Sequence, residues 1–255
     1  MDTRRRGLLK TFVEDVDGFM RLMEHMGTVI LGLSALHLIQ AKMEALELND
    51  LDVYVTHEFD KEVVKHMKGK GYEMKWESER KTEYDGSAMK KIYKLMKNER
   101  EVDIIVTNWA GAIVPIVQYH STAVMNYMTA HSLVCMYPEW TKNCQSLVNP
   151  QMYLNNGTNI CTVMALMKYV RRGFCMSADP FKFSVHNCNM SGYCPNAVRN
   201  TIDGDTMRWN FEEVKMVGRM TVTCKDMAVV IWRLGGGECE EDSDEKNPGY
   251  IGVGA

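Results

Sequence analysis

The chain has 255 residues, 45% of them hydrophobic and 25% charged, which is the balance of an ordinary globular protein able to bury a sizeable core. The formal net charge is −3. The stretch Glu238 to Lys246 holds six acids and one lysine, so its −5 leaves the rest of the chain at +2. That balance suits a nucleotide or phosphate substrate and argues against a nucleic-acid coat protein. No apolar run reaches the ~18 residues of a membrane-spanning helix, so no membrane partner is expected.

The opening MDTRRRGLLKTF is basic but leads into no hydrophobic signal region, so no secretion signal is expected. The eight cysteines are scattered with no C-x-x-C pair and read as reduced thiols. Both features lead to the expectation of a cytoplasmic protein, with the nucleus as the alternative. The 21 methionines read mainly as adaptable core filler.

In chain order, Leu9, Phe12, Val13, Val16, Met20 and Met23 recur at helical spacing, which predicts one amphipathic helix over 7–26 stopped by Gly27. TVIL at 28–31 reads as a strand, Gly32-Leu33-Ser34 as a turn, and Leu36, Ile39, Met43 and Leu46 as a second helical stripe. NDLDVYV follows as a strand, with Leu51, Val53 and Val55 alternating against Asp50, Asp52 and Tyr54. A helix is expected over 59–67 and extended chain over 71–80. Next comes a hairpin, KIYKLMK and EVDIIVT, joined by Asn98-Glu99-Arg100. The run 113–128 reads as helix interrupted or begun by Pro115, and 132–137 as a strand ended by Pro138. Residues 141–157 read as loop. Residues 159–172 predict a helix with Ile160, Val163, Met164, Met167 and Val170 on one face and Gly173 after it. Beyond a segment poor in apolar periodicity, TVT and MAVVIW read as strands, and 235–255 as a disordered acidic tail.

The residues that carry chemistry are Asp50 and Asp52, on one face of a strand, and Asp103 in a separate apolar strand. Carboxylates held together repel unless a cation lies between them. Three on adjacent strands could hold one or two Mg²⁺ ions (or Mn²⁺), which prefer oxygen ligands. Such a site requires the three carboxylates to converge within roughly 3–5 Å of a common point. Metals there would bridge a nucleotide's phosphates, and the third carboxylate could serve as general base. Gly32 and Ser34, at the start of the following helix, offer an anion site for the phosphates.

Gly32-Leu33-Ser34, Asp50-Leu51-Asp52 and the later Asp103 resemble the core of the nucleotidyltransferase superfold typified by DNA polymerase beta. The course of residues 20 to about 205 is also similar to a group of uncharacterised basidiomycete fungal proteins. The segments GLSALHL, NDLDVYV, VDIIVT, YHSTAVMNYM, KYVRRGF and HNCNMSGYCPNAVRNTIDGD carry that similarity. The superfold resemblance implies an α/β (α+β) fold, in which helices flank a small mixed sheet over residues 1–140. A C-terminal α+β extension over 141–234 would pack on this core. It also implies Mg²⁺-dependent nucleotidyl transfer from a nucleoside triphosphate to an unknown hydroxyl acceptor. Asp50, Asp52 and Asp103 would be the catalytic and metal-binding residues, and Gly32 and Ser34 would hold the phosphates. Leu33 and the long interval between Ser34 and Asp50 keep open a catalytically inactive member that binds a nucleotide or a protein. Nucleic acid as a partner is compatible with the fold but not indicated by charge.

Three weaker features remain. His186, Cys188 and Cys194 could hold a structural Zn²⁺ with a fourth ligand from elsewhere, although buried thiols and a surface histidine are the simpler account. His120-Ser121-Thr122 suggests a nucleophile but has no partner acid and reads as packing. Lys90, Lys91 and Lys94, and Arg171-Arg172, could meet phosphates, or could be a solvated strand edge and the cations of a helix C-terminus.

Overall fold

The computed structural model describes residues 1–40, 48–79, 88–154, 159–183, 191–211, 229–237, 246–247 and 249–254. Two helices open the chain, α1 (Asp2–Phe12) and α2 (Val16–Met26). The single helix expected over 7–26 is therefore divided. Val13 is extended and buried, and the Asp15 side chain accepts from the Gly18 N–H, starting a new helix where the periodicity alone would continue the old one. Gly27, with φ 60°, ends α2 in the left-handed conformation that favours glycine.

The order then runs β1 (Val29–Leu31), α3 (Leu33–Ile39), β2 (Asp50–Thr56), α4 (Asp60–Gly69), β3 (Glu73–Glu79), β4 (Met89–Lys97) and β5 (Arg100–Thr107). Met43 and Leu46, expected on the second helical stripe, lie outside the described residues. After two 3₁₀ turns come β6 (Asn126–Met128), β7 (Ser132–Cys135), α5 (Pro138–Lys142), β8 (Gln145–Leu147), α6 (Gln151–Leu154), α7 (Ile160–Arg171) and β9 (Cys175–Ser177). The last strands are β10 (Arg199–Asn200), β11 (Met207–Asn210), β12 (Val229–Arg233), β13 (Gly236–Gly237), β14 (Lys246–Asn247) and β15 (Tyr250–Gly254).

The main sheet has eight strands in the order β11-β7-β6-β1-β2-β5-β4-β3. Every neighbouring pair is antiparallel except β2 and β5, so the sheet is mixed. The chain is α/β with helices against a mixed sheet, as expected, but the sheet is larger than a minimal core. Strand β11 comes from the segment assigned to the extension and completes one edge of this sheet by pairing with β7.

Strand alternation sets the two faces of the sheet. Leu51, Val53, Val55, Val102, Ile104 and Val106 join Leu9, Phe12, Phe19, Met23, Val63 and Met67 of α1, α2 and α4 in one buried cluster. Tyr54 and Ile105 face the opposite side, where a second cluster gathers Val114, Ile116, Val117, Trp140 and Trp232. Asp50, Asp52 and Asp103 have the parity of this second face.

The run 113–128 is not the helix expected. It forms 3₁₀ turns at Val114–Gln118 and Thr122–Val124 separated by extended Ser121, then strand β6. Pro115 brings no N–H, and most side chains from Ala112 to Ala130 are buried, so burial has no stripe with which to select a helix. Pro138 does not just end the preceding strand. It opens α5, where its fixed φ and missing N–H are tolerated. Residues 141–157 are not all loop either, since they contain β8 and α6.

Helix α7 forms as expected, and its apolar face is exposed: Ile160 is 69% and Met164 67% exposed, and Tyr169 alone on the helix is buried. One further expectation is corrected. The end of the expected tail is a strand: β15 pairs residue by residue with β12, from Val229 opposite Gly254 to Arg233 opposite Tyr250. The acidic run 238–245 and the TVT segment lie outside the described residues. Among the described residues, no helix is long and apolar enough to cross a membrane.

Candidate functional site

Strands β2 and β5 run parallel with Asp50 opposite Glu101 and Asp52 opposite Asp103. Side chains in register on neighbouring strands point to the same face, and Asp50 lies two residues from Asp52 on that face. Asp50, Asp52 and Asp103 each offer one carboxylate oxygen, and these oxygens all lie within 4.8 Å of one another. The convergence that a shared cation requires is therefore present.

The third side of the cluster comes from β1. This strand pairs antiparallel with β2, Val29 opposite Tyr54 and Ile30 opposite Val53, which carries Gly32 to the acid-bearing end of β2. Gly32 has φ 68° and ψ −128°, a conformation that L side chains rarely adopt. A Cβ placed on it would lie 3.8 Å from Asp52 Oδ2 and 3.7 Å from Tyr119 Oη, so the turn and Asp52 share one small space. The Gly32 carbonyl accepts from Leu36 N–H at 3.0 Å, starting α3. Ser34 is 2% exposed, so its hydroxyl is enclosed by protein. Leu33 packs beside Tyr119 and Tyr169 in a small cluster built on Leu36, Val124 and Phe174.

Electrostatics follow from three acids sharing partly buried space. Burial, then the charges of Asp50 and Asp103, push the Asp52 carboxyl up to about 7, against the opposing pull of Lys168 and Lys94. Asp103 is also raised, chiefly by burial, although Lys94 pulls the other way. The Lys94 ammonium is 3.4 Å from Asp103 Oδ2 and hydrogen-bonds Glu101. Asp103 Oδ1 is buried with no hydrogen-bond partner among the described residues. An acidic oxygen left in that state is an acceptor awaiting a cation or a proton.

Aromatic hydroxyls border the acids. Tyr54 and Tyr119 are hydrogen-bonded to each other through their hydroxyls. The Tyr119 phenol is raised well above its ordinary value by burial, then by Tyr54 and by the Asp52 charge. Tyr169 is pushed up to about 12 by burial, with Arg172 opposing and Asp52 adding. His120 lies 5.3 Å from the Tyr169 ring, and burial with the nearby Lys168 lowers it to about 4, so it is neutral at physiological pH.

The structure thus brings Asp50, Asp52, Asp103 and Gly32 together and places Ser34 inside the protein at the start of α3. Ser121 is fully buried with its hydroxyl unpartnered among the described residues, in keeping with packing rather than nucleophilic chemistry. Of the zinc candidates, His186 and Cys188 lie outside the described residues, and Cys194 is buried. Sequence reasoning did not single out Lys168, Tyr119 or Tyr169. Lys168 carried a signal, a cation inside an otherwise apolar helical run. The tyrosines carried none, because nothing local distinguishes a tyrosine that reaches a distant strand.

The described residues fit a divalent cation: three hard oxygen donors converge, one of them orphaned, and their mutual repulsion is incompletely relieved. Lys94 supplies part of the neutralising charge itself.

No family model matches the sequence, and no curated protein matches it. A solved structure described as "tRNA-processing enzyme (apo form I)" is similar with a TM-score of 0.46 and 12% identity, covering 64% of this chain. The match spans 44% of that chain, less than half its length.

Proposed function

We propose that this protein is a metal-dependent nucleotidyltransferase that uses a nucleoside triphosphate as donor and a hydroxyl group as acceptor. The observation that carries this reading is the convergence of Asp50, Asp52 and Asp103 from two parallel strands. These three residues would hold Mg²⁺ or Mn²⁺, which when bound neutralises phosphate charge and acidifies the attacking hydroxyl.

Each residue then has a distinct part. Asp50 and Asp52, two apart on β2, are the paired ligands. Asp103 adds a ligand and, through the orphaned Oδ1, a general base that accepts the proton of the acceptor hydroxyl. Lys94 holds the other oxygen of Asp103 and fixes its direction. Gly32 lets backbone approach the donor phosphates beside Asp52, while Ser34, enclosed, supports the start of α3. Lys168 of α7 is near enough for its charge to act on Asp52 and would offer positive charge to the donor.

A second reading has one observation behind it. Lys94 already gives the acids an internal counter-charge, as in a fold retained to bind a nucleotide or a protein without catalysis. Thermal melts with Mg²⁺ or Mn²⁺, alone and with each nucleoside triphosphate, separate the two. The catalytic reading expects a metal-dependent rise in Tm, further increased by one or more triphosphates and lost in Asp52→Asn. If no metal shifts the wild type, the catalytic reading is wrong. A shift with metal but no turnover of any triphosphate supports the binding module.

A further inference from the structure

Helix α7 turns its apolar side outward. Ile160, Val163, Met164, Met167 and Val170 are all exposed, by 69%, 40%, 67%, 45% and 42%. At 100° per residue they fall within an arc of about 120°, with Tyr169 on the opposite side holding the helix to the protein. A helix apolar on its solvent side is uncommon without a partner, and scattered single exposures would not produce one continuous stripe.

The charges on the helix indicate what the partner is. ICTVMALMKYVR contains no acidic residue. Arg171 lies within the exposed arc at its C-terminal end, and Lys168 lies at the border facing the acids. Among the described residues, Arg171 has no ion-pair partner, and Arg172 follows it directly. An apolar stripe ending in cations matches a surface that is apolar below and anionic at its rim. Side chains two-thirds exposed also stand proud of the surface. A bound peptide would need flanking walls, whereas a bilayer closes around a ridge. A second copy would bring another acid-free helix and leave the cations unneutralised.

We propose that α7 docks the protein reversibly onto an anionic lipid bilayer. Ile160, Met164 and Met167 would enter the acyl boundary, and Arg171 would meet lipid phosphates. No spanning helix is needed for such contact. This inference stands apart from nucleotidyl transfer, and its test reads no activity.

The test is co-sedimentation of the full chain with vesicles of phosphatidylcholine alone and of phosphatidylcholine with about 30% phosphatidylserine. Binding to the anionic vesicles only, weakened by salt, is expected. Met164→Glu with Met167→Glu should weaken it by at least about tenfold, and Arg171→Glu by about fivefold. All three positions are exposed, and an unchanged Tm confirms that the variants fold. Failure to bind either vesicle, or equal binding to both, overturns the proposal, as does binding that survives the double glutamate variant. A wild-type dimer that becomes monomeric in the double variant, with no vesicle binding, assigns the face to a second copy and overturns it as well.

Discussion

Asp52 and Asp103 are register partners across β2 and β5, the only parallel neighbours in the main sheet among the described residues, and their side chains therefore stand beside each other on one face. Antiparallel pairing would also place partners together, but parallel pairing brings the starts of both strands to the same end. Asp50 joins them there, and Gly32 arrives from the antiparallel β1.

The proximity of the acids has a cost that depends on pH. The Asp52 carboxyl, at about 7 in the folded protein, binds its proton more tightly than in the unfolded chain, where its ordinary value is 3.8. The metal-free fold is therefore favoured while Asp52 is protonated. The penalty grows as pH rises from about 4 to about 7 and is complete above that, with an upper bound of roughly 4 kcal/mol. Melting curves without divalent cation should show Asp52→Asn losing less stability than wild type between about pH 5 and 8. Parallel curves would mean that Asp52 ionises without penalty.

Lys94 competes with any cation for Asp103. It is the cross-strand partner of Asp103 on β4 and also bonds Glu101. Lys94→Met should lower metal-free stability by about 1 kcal/mol and tighten Mn²⁺ binding roughly fivefold, because one positive charge leaves the ligand set. Calorimetric titration measures the second effect. Weaker Mn²⁺ binding would show that holding Asp103 in direction outweighs the lost competition.

Gly32→Ala should destabilise the fold by about 1–3 kcal/mol, since φ 68° with ψ −128° is a backbone state that alanine reaches only under strain. Crowding is not the reason: the nearest atoms to the new Cβ, Tyr119 Oη and Asp52 Oδ2, would be at ordinary contact distance. Urea denaturation gives the value, and a change within error would mean that the turn relaxes to another conformation at no cost.

Far from the acids, Arg199 ties the C-terminal segment to the rest. It is 2% exposed and lies 5.1 Å from the Tyr137 ring and 5.4 Å from the Trp232 ring. It donates to both Asp203 oxygens and to the carbonyls of Met136 and Gly192. Lysine cannot reproduce that planar set of donors, so Arg199→Lys should cost about 3 kcal/mol in urea denaturation. The metal-dependent Tm shift should persist, because the network shares no residue with the acid cluster.

The acid-bearing strands were legible in the sequence because their apolar and polar residues alternate with period two and one face is buried. Leu51, Val53 and Val55 against Asp50 and Asp52 leave no other register. Where burial is continuous, as from Ile113 to Val117, periodicity is silent and the helix expected there did not form. The stripe on α7 was legible as a helix but not as a surface, since a periodic pattern gives the face and not what lies against it. Strand β15 was missed because its glycines read as disorder, whereas its order comes from pairing with β12. At the site, the sequence marked the carboxylates but not Lys168 or Tyr119. These reach the acids only through the tertiary fold.

The hairpin β4–β5 acts as a ruler for the charge at the site. Lys97 pairs with Arg100, leaving Asn98 and Glu99 as a two-residue turn with φ 48° and 64°. Both angles are positive, as in the turns whose twist matches that of the flanking strands. Counting back from this turn sets Lys94 opposite Asp103. A one-residue slip of this register would swing the ammonium to the other side of the sheet. The counter-ion of the acid cluster therefore depends on the alignment of the hairpin as well as on the lysine.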